Sequence, residues 1–277
     1  MSPVDATADP PLKATLRMYT ALATAEFHRY ATYRQAMVAA TFTNSVFGFL
    51  RCYALLAAAA GAGGTAGGYD PAKLALFVWA GQGLLGTVNV WARAELADRI
   101  ARGDVVADLL RPVDPIWQYL AADLGRAGYA ALTRFVVPVV VGALAFDLYV
   151  PRHPATYPLF ALSVLLATVI SLACRYLVNA SAYWLLDARG PLLVWFVVSS
   201  VLSGLYFPLS FLPAWAQAAL YVATPFPYLL QVPLDVLVER GVTGVTLAGQ
   251  VAWAVVMLAL ARRVQRHAER RLVIQGG

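Results

Sequence analysis

Six nearly uncharged runs, at approximately residues 35–60, 71–92, 129–150, 157–183, 191–212 and 243–262, constrain this chain more than any other feature. About 20 apolar helical residues cross roughly 30 Å of hydrocarbon, and every run reaches that length. Barrel strands are excluded, because they take about 10 residues of alternating polarity. Backbone groups in lipid need partners within their own segment, so the runs read as helices. Composition agrees: 60% of the 277 residues are hydrophobic and 13% charged, too apolar for a water-soluble domain of this size. The expected fold is an all-α integral membrane protein. Residues 1–34 form a cytoplasmic tail and an interfacial helix, 35–271 a single six-helix membrane domain, and 272–277 a C-terminal tail.

The first 34 residues hold no uninterrupted apolar core followed by a cleavage site, so no removable signal peptide is read and the first span serves as an uncleaved anchor. Orientation follows from the cations. Lys13, Arg17, Arg29, Arg34, Arg93, Arg99, Arg102, Arg111, Arg189, Arg262, Arg263, Arg266, Arg270 and Arg271 fall on one side, and Lys73, Arg152 and Arg240 on the other. That asymmetry puts both termini in the cytoplasm. The net charge of +6 is then explained by anionic headgroups and calls for no nucleic acid. Cys52 and Cys174 lie in different spans at different depths, too far apart for a disulfide, and read as packing residues.

Charge is concentrated in RAELADRIARGDVVADLLRPVDP, residues 93–115. Leu96 and Ile100 share one side of a short helix, with Glu95, Asp98, Arg99 and Arg102 around the rest. Gly103 ends it, Asp104 can cap a second helix with Val106, Leu109 and Leu110 on its apolar side, and Pro112 and Pro115 stop that one. A solvated connecting loop is the plain alternative. Regular apolar spacing under interspersed charges is instead the pattern of a surface that docks another protein.

Upstream, KATLRMYTALATAEFHRYATYRQ repeats Leu16, Tyr19, Ala23, Phe27 and Tyr30 at helical spacing. It suits a helix lying in the inner interface, or a cytosolic extension of the first span. GAGGTAGGYDP at 61–71 is expected to be a flexible external turn. It makes no phosphate loop, since the only lysines, Lys13 and Lys73, do not follow glycine. ATP hydrolysis therefore requires a partner chain.

Asp123 and Arg126 are three apart and can pair on one helix face at the inner interface. Within the spans, Arg51, Arg134 and Arg175 each need a partner, a cavity or an end to reach, because a charge at the centre of an inserted helix costs about 2.5–3.5 kcal/mol. Asn44, Gln82, Asn89 and Asn179 join them as intramembrane polar residues, with interhelical hydrogen bonding the first expectation. The stretch 203–241 is broken by Pro208, Pro213, Pro225, Pro227 and Pro233 yet stays apolar. A short helix pair dipping back into the outer leaflet fits both properties.

This arrangement resembles the membrane subunits of ABC exporters of type-two architecture. ELADRIARGDVVADLLRPVDP is similar to the E…I..G…LL.RP run of one bacterial subgroup, and SGLYFPLSFLPAWAQAALYVATPFPY to its SG…P…P…PF run. The likeness covers about residues 13–271. It implies a permease of the bacterial inner membrane that moves its cargo outward by alternating access. It further implies that 93–102 is a coupling helix seated on a cytoplasmic ATPase, with Glu95, Asp98, Arg99, Arg102, Gly103, Asp104 and Arg111 as contacts. Gly204, Pro208, Pro213, Pro225 and Pro227 would belong to an outer gate. The implied partners are two ATPase subunits, which hold the ATP and Mg, and a second permease, either a copy of this chain or a related one. No cofactor is expected in this chain. Spans with few charges favour an amphipathic or lipid-like cargo.

A gradient-driven secondary transporter would usually show internal repeats and a mid-span carboxylate, and neither is evident. An intramembrane enzyme is disfavoured by the absence of HExxH and GxSxG and by His28, His153 and His267 all lying outside the spans. A non-transporting anchor subunit stays open.

Overall fold

The computed structural model describes residues 12–32, 34–91, 94–105, 114–185, 187–241 and 243–275, and these are helices joined by turns. In chain order they are α1 (Leu12–Ala31), α2 (Arg34–Gly61), α3 (Pro71–Leu84), α4 (Glu95–Arg102), α5 (Pro115–Ala130), α6 (Val136–Ala145), α7 (Thr156–Ala180), α8 (Arg189–Leu202), α9 (Ala214–Ala223), α10 (Gln231–Leu237) and α11 (Thr243–Gln275). A π-turn, Leu85–Asn89, continues α3, and a second, Ala131–Phe135, joins α5 to α6.

Among the described residues, four helical stretches are long and apolar enough to cross a membrane: Val38–Gly61, Pro115–Ala145, Thr156–Tyr183 and Thr243–Ala268. The runs at 71–92 and 191–212 fold as shorter helices of 14 residues each, α3 and α8. Two expected boundaries need correction. The run read as 129–150 belongs to a helix that starts at Pro115, because the π-turn carries α5 into α6 without a break. The run read as 191–212 stops at Leu202, where the chain turns through Gly204 at φ +84.

Pro115 starts α5, with Asp114 as the N-cap accepting from the Ile116 N–H at 3.0 Å; the helix it is expected to stop falls outside the described residues. The same Asp-Pro device starts α3, where Asp70 accepts from the Lys73 N–H at 2.8 Å.

Helix α3 is apolar on every side and is the buried centre of the fold. Its Trp79 is slotted between α2 and α6: a Cβ on Gly48 would come within 2.8 Å of the indole, and one on Gly142 within 2.3 Å. Small residues thus let three helices close on one large ring. Phe49 meets Trp79 edge-on at 5.0 Å between ring centroids. Helix α1 is docked rather than free. Gly125 of α5 lies against the α1 backbone, where a Cβ would sit 2.0 Å from the Ala23 carbonyl oxygen, and Phe27 packs edge-on to Tyr129 at 5.3 Å. Helices α7 and α11 are joined by the buried pair Ser163 and Gln250, whose amide donates to the Ser163 and Tyr228 carbonyls at 2.9 and 3.0 Å. Cys52 and Cys174 are buried free thiols.

The 61–70 connection is more fixed than its glycines suggest. Tyr69 is wholly buried, and Gly67, at φ +57, lies so close to Ser210 and Phe211 that a Cβ would come within 2.4 Å of the serine hydroxyl.

Candidate functional site

At one end of the bundle, α4 lies across the end of α7. Its apolar side, Ala97 and Ile100, is buried, with Leu96 packed against the core, while Glu95, Asp98 and Arg102 are exposed. Gly103 ends the helix in the left-handed region at φ +80, as its sequence predicts. Arg102 donates to the neighbouring Asp104 at 3.1 Å. The expected second helix, with Arg111, falls on 106–113, outside the described residues.

The chain between α3 and α4 is held by side chains from three other positions. A π-turn shifts the local hydrogen bonding and frees carbonyl groups. Arg126 of α5 donates to two of these, Gly86 at 2.6 Å and Thr87 at 3.0 Å. Ser171 of α7 donates to the Asn89 carbonyl at 3.0 Å, and the Trp195 indole of α8 to the Val90 carbonyl at 2.9 Å. Asn179 of α7 accepts from the Ala97 N–H at 3.1 Å and so fixes α4 itself.

Behind this link sits a buried charge cluster. The expected Asp123–Arg126 pair is present, with Arg126 Nε 2.6 Å from the carboxylate. Arg175 completes it through Nη2 to the other Asp123 oxygen at 2.6 Å, which gives that intramembrane arginine its partner. With its amide oxygen turned toward α7, Asn89 accepts from Arg175 Nη1 at 2.9 Å. Asn89 itself is at φ +55, in the left-handed region that favours asparagine among side-chain-bearing residues.

A cavity of about 520 Å³ opens between α1, α4 and this cluster. Glu26, Glu95, Asp98 and Asp123 line it, interleaved with Arg29, Arg99, Arg102, Arg126 and Arg175. Near-balanced charge of this kind suits a protein surface better than a small ion. Among the described residues no group of three His, Cys, Asp or Glu side chains is placed to hold a metal ion.

The opposite end carries two clusters that sequence reading missed. Glu239, at φ +55, receives Thr156 Oγ1 at 2.6 Å, the Tyr149 hydroxyl at 2.5 Å, and the N–H groups of His153 and Arg152 at 2.8 and 3.2 Å. Partial burial pushes its carboxyl upward, but these four donors outweigh that and hold its pKa at about 2. Nearby, Asp235 is bonded to the Tyr69 hydroxyl and accepts from Gln231 at 2.9 Å, and Arg240 lies over the Tyr69 ring at 4.8 Å. Gln231 also accepts from the Leu209 N–H at 2.9 Å.

The stretch 203–241 forms two short helices, α9 and α10, the second entirely buried. Gly204 sits directly on Gln231, where a Cβ would come within 2.5 Å of the amide oxygen. Pro208 and Pro227 are buried, Pro213 precedes α9 and Pro225 precedes the next turn. Asn44 donates to the Gln82 carbonyl at 3.4 Å, linking α2 to α3, and the Arg134 side chain lies over Gly86. Arg51 is the exception to the expected pairing: among the described residues its Nε and Nη1 are buried without a hydrogen-bond partner.

No curated protein and no solved structure matches the chain. The family described as ABC-2 family transporter protein matches residues 52–276, a stretch that includes α4, the charge cluster and both clusters of the opposite end. The chain therefore belongs to the ABC-2 transporter family, as a membrane permease subunit.

Proposed function

We propose that this permease is an exporter worked through α4 by a separate cytoplasmic ATPase, and that it moves an amphipathic or lipid-like substrate. The observation that carries the reading is the seating of α4, with its charged side outward and its inner side fastened to α7 through Asn179 and to α3 through the pinned π-turn. Force applied to Glu95, Asp98, Arg99 and Arg102 would pass to α3 and α7 together.

Several further assignments go with it. The α4 end faces the cytoplasm of a bacterium and carries both termini, because Lys73, Arg152 and Arg240 gather at the opposite end with Glu239, Asp235 and their partners. Helices α3 and α8 are the two shorter crossings, giving six, and α9 and α10 re-enter from the outer side as a gate around Gly204. Two permeases, identical or related, pair with two ATPases, which hold ATP and Mg.

Tagged chain is purified from its native membranes, the co-purifying chains are identified and ATP hydrolysis is assayed. A Walker-containing subunit arriving with substrate-stimulated ATPase activity is expected, and the double variant E95A/R102A should cut that stimulation about tenfold while the chain stays folded. A chain that purifies alone and without ATPase would move the assignment to a gradient-driven carrier or an anchor.

A further inference from the structure

A second concavity, of about 1020 Å³, lies along α11 and is walled by Trp117 of α5 and by Trp184. Its floor is apolar, with Val255, Leu258 and Ala259, and its rim carries Arg262, Arg263, Arg266 and His267. Among the described residues no Asp or Glu lines it, in contrast to the charge-balanced cavity under α4. Arg262 is already engaged, paired with Asp114 at 3.0 Å and lying over the Trp117 ring at 4.9 Å. His267 stacks on Trp184 with ring centroids 6.3 Å apart. Arg263 and Arg266 are exposed, and among the described residues neither has an ion pair.

The placement of these groups selects the occupant. The groove begins on the apolar stretch Thr243–Ala268 and ends where its arginines start, so a ligand must be apolar at one end and anionic at the other, at headgroup depth. An inorganic anion would satisfy the arginines and leave the apolar floor uncovered. We propose that this groove holds one anionic phospholipid of the leaflet at the α4 end, its phosphate on Arg263 and Arg266 and its acyl chains on Val255, Leu258 and Ala259. The assignment rests on the membrane reading of the chain but not on coupling to an ATPase.

The test uses the full chain in mixed micelles of equal phosphatidylglycerol and phosphatidylcholine, with retained lipid counted by native mass spectrometry and inorganic phosphate offered in parallel. One phosphatidylglycerol per chain is expected, preferred about tenfold over phosphatidylcholine. R263Q/R266Q should abolish the preference, and A259W should displace the lipid with both arginines in place. Monodisperse gel filtration and unchanged circular dichroism establish that each variant folds. Retention unaffected by both variants would overturn the proposal. So would displacement of the lipid by millimolar phosphate, or a disulfide between copies carrying L260C across the groove. Because no ATP hydrolysis is read, failure here is distinct from failure of the coupling mechanism.

Discussion

Arg126 on α5 and Thr87 in the π-turn are joined by a 3.0 Å hydrogen bond from the guanidinium to the backbone carbonyl, while the same guanidinium holds Asp123 at 2.6 Å. One side chain therefore satisfies the backbone of a break in α3 and neutralises a buried carboxylate that Arg175 also grips. The irregular backbone and the buried charge are two halves of one arrangement, and either half left alone would be costly.

Replacing Arg126 by Leu should destabilise the chain by about 1–3 kcal/mol, since the two carbonyls lose their donor and Asp123 keeps Arg175 alone. Thermal unfolding in detergent would show the loss. The double variant D123N/R126L should lose more, because it also leaves the buried Arg175 without its carboxylate. Equal unfolding of wild type and R126L would mean that the cluster contributes nothing.

Glu239 gives a pH dependence with a defined sign. Its folded pKa, about 2, lies below its ordinary value of 4.5. The unfolded chain thus takes up the proton first as pH falls, so the contribution is present above about pH 4.5 and disappears as the folded group titrates toward 2. The site is partly solvated, and about 1 kcal/mol is expected after screening. E239Q should lower Tm at pH 7 and match wild type near pH 2. A difference that grows on acidification would contradict this.

At Gly125, alanine places a methyl group 2.0 Å from the Ala23 carbonyl and must push α1 off α5. A loss of about 1–3 kcal/mol and faster proteolysis within α1 are expected. Gly61, where a Cβ would meet nothing within 4 Å, is the control, and G61A should change stability by no more than about 0.5 kcal/mol.

Gly204 combines φ +84 with a close approach to Gln231. G204A should strain the turn by about 1–3 kcal/mol and disturb the Gln231 network at that end. In transport assays the variant is expected to keep its ATPase partner while losing transport. Full transport by G204A would remove this turn from the gate.

Much of this architecture was legible because hydrophobic length and helix punctuation are local properties. The end of α4 at Arg102, its Gly103 stop and the Asp123–Arg126 pair all follow from spacing within a few residues, whereas α4 starts at Glu95 and not at 93. Other features depend on what arrives from elsewhere in the chain. The π-turn at 85–89 has no local signature and exists because Arg126, 37 residues beyond Asn89, supplies its missing donors. Nothing in the sequence near Glu239 or Asp235 marks either as a hydrogen-bonded centre. Their partners, Tyr149, Thr156 and Tyr69, are brought to them only by folding. Pro115 starts α5, and the local mark of that start is the Asp114 cap beside it.

The two π-turns pack against each other, with Gly83 of α3 set on the Phe135 backbone and Gly86 under Arg134. Each π-turn is a helix with one residue inserted, and one residue in an α-helix is worth about 100° of rotation. Every side chain of α6, which follows the second π-turn without a break, is therefore clocked about 100° away from where an uninterrupted helix would point it. The azimuth of α6, and with it the seating of Gly142 on Trp79, is set by this single surplus residue. A one-residue deletion within 131–135 should swing Gly142 away from Trp79 without altering any residue of α6.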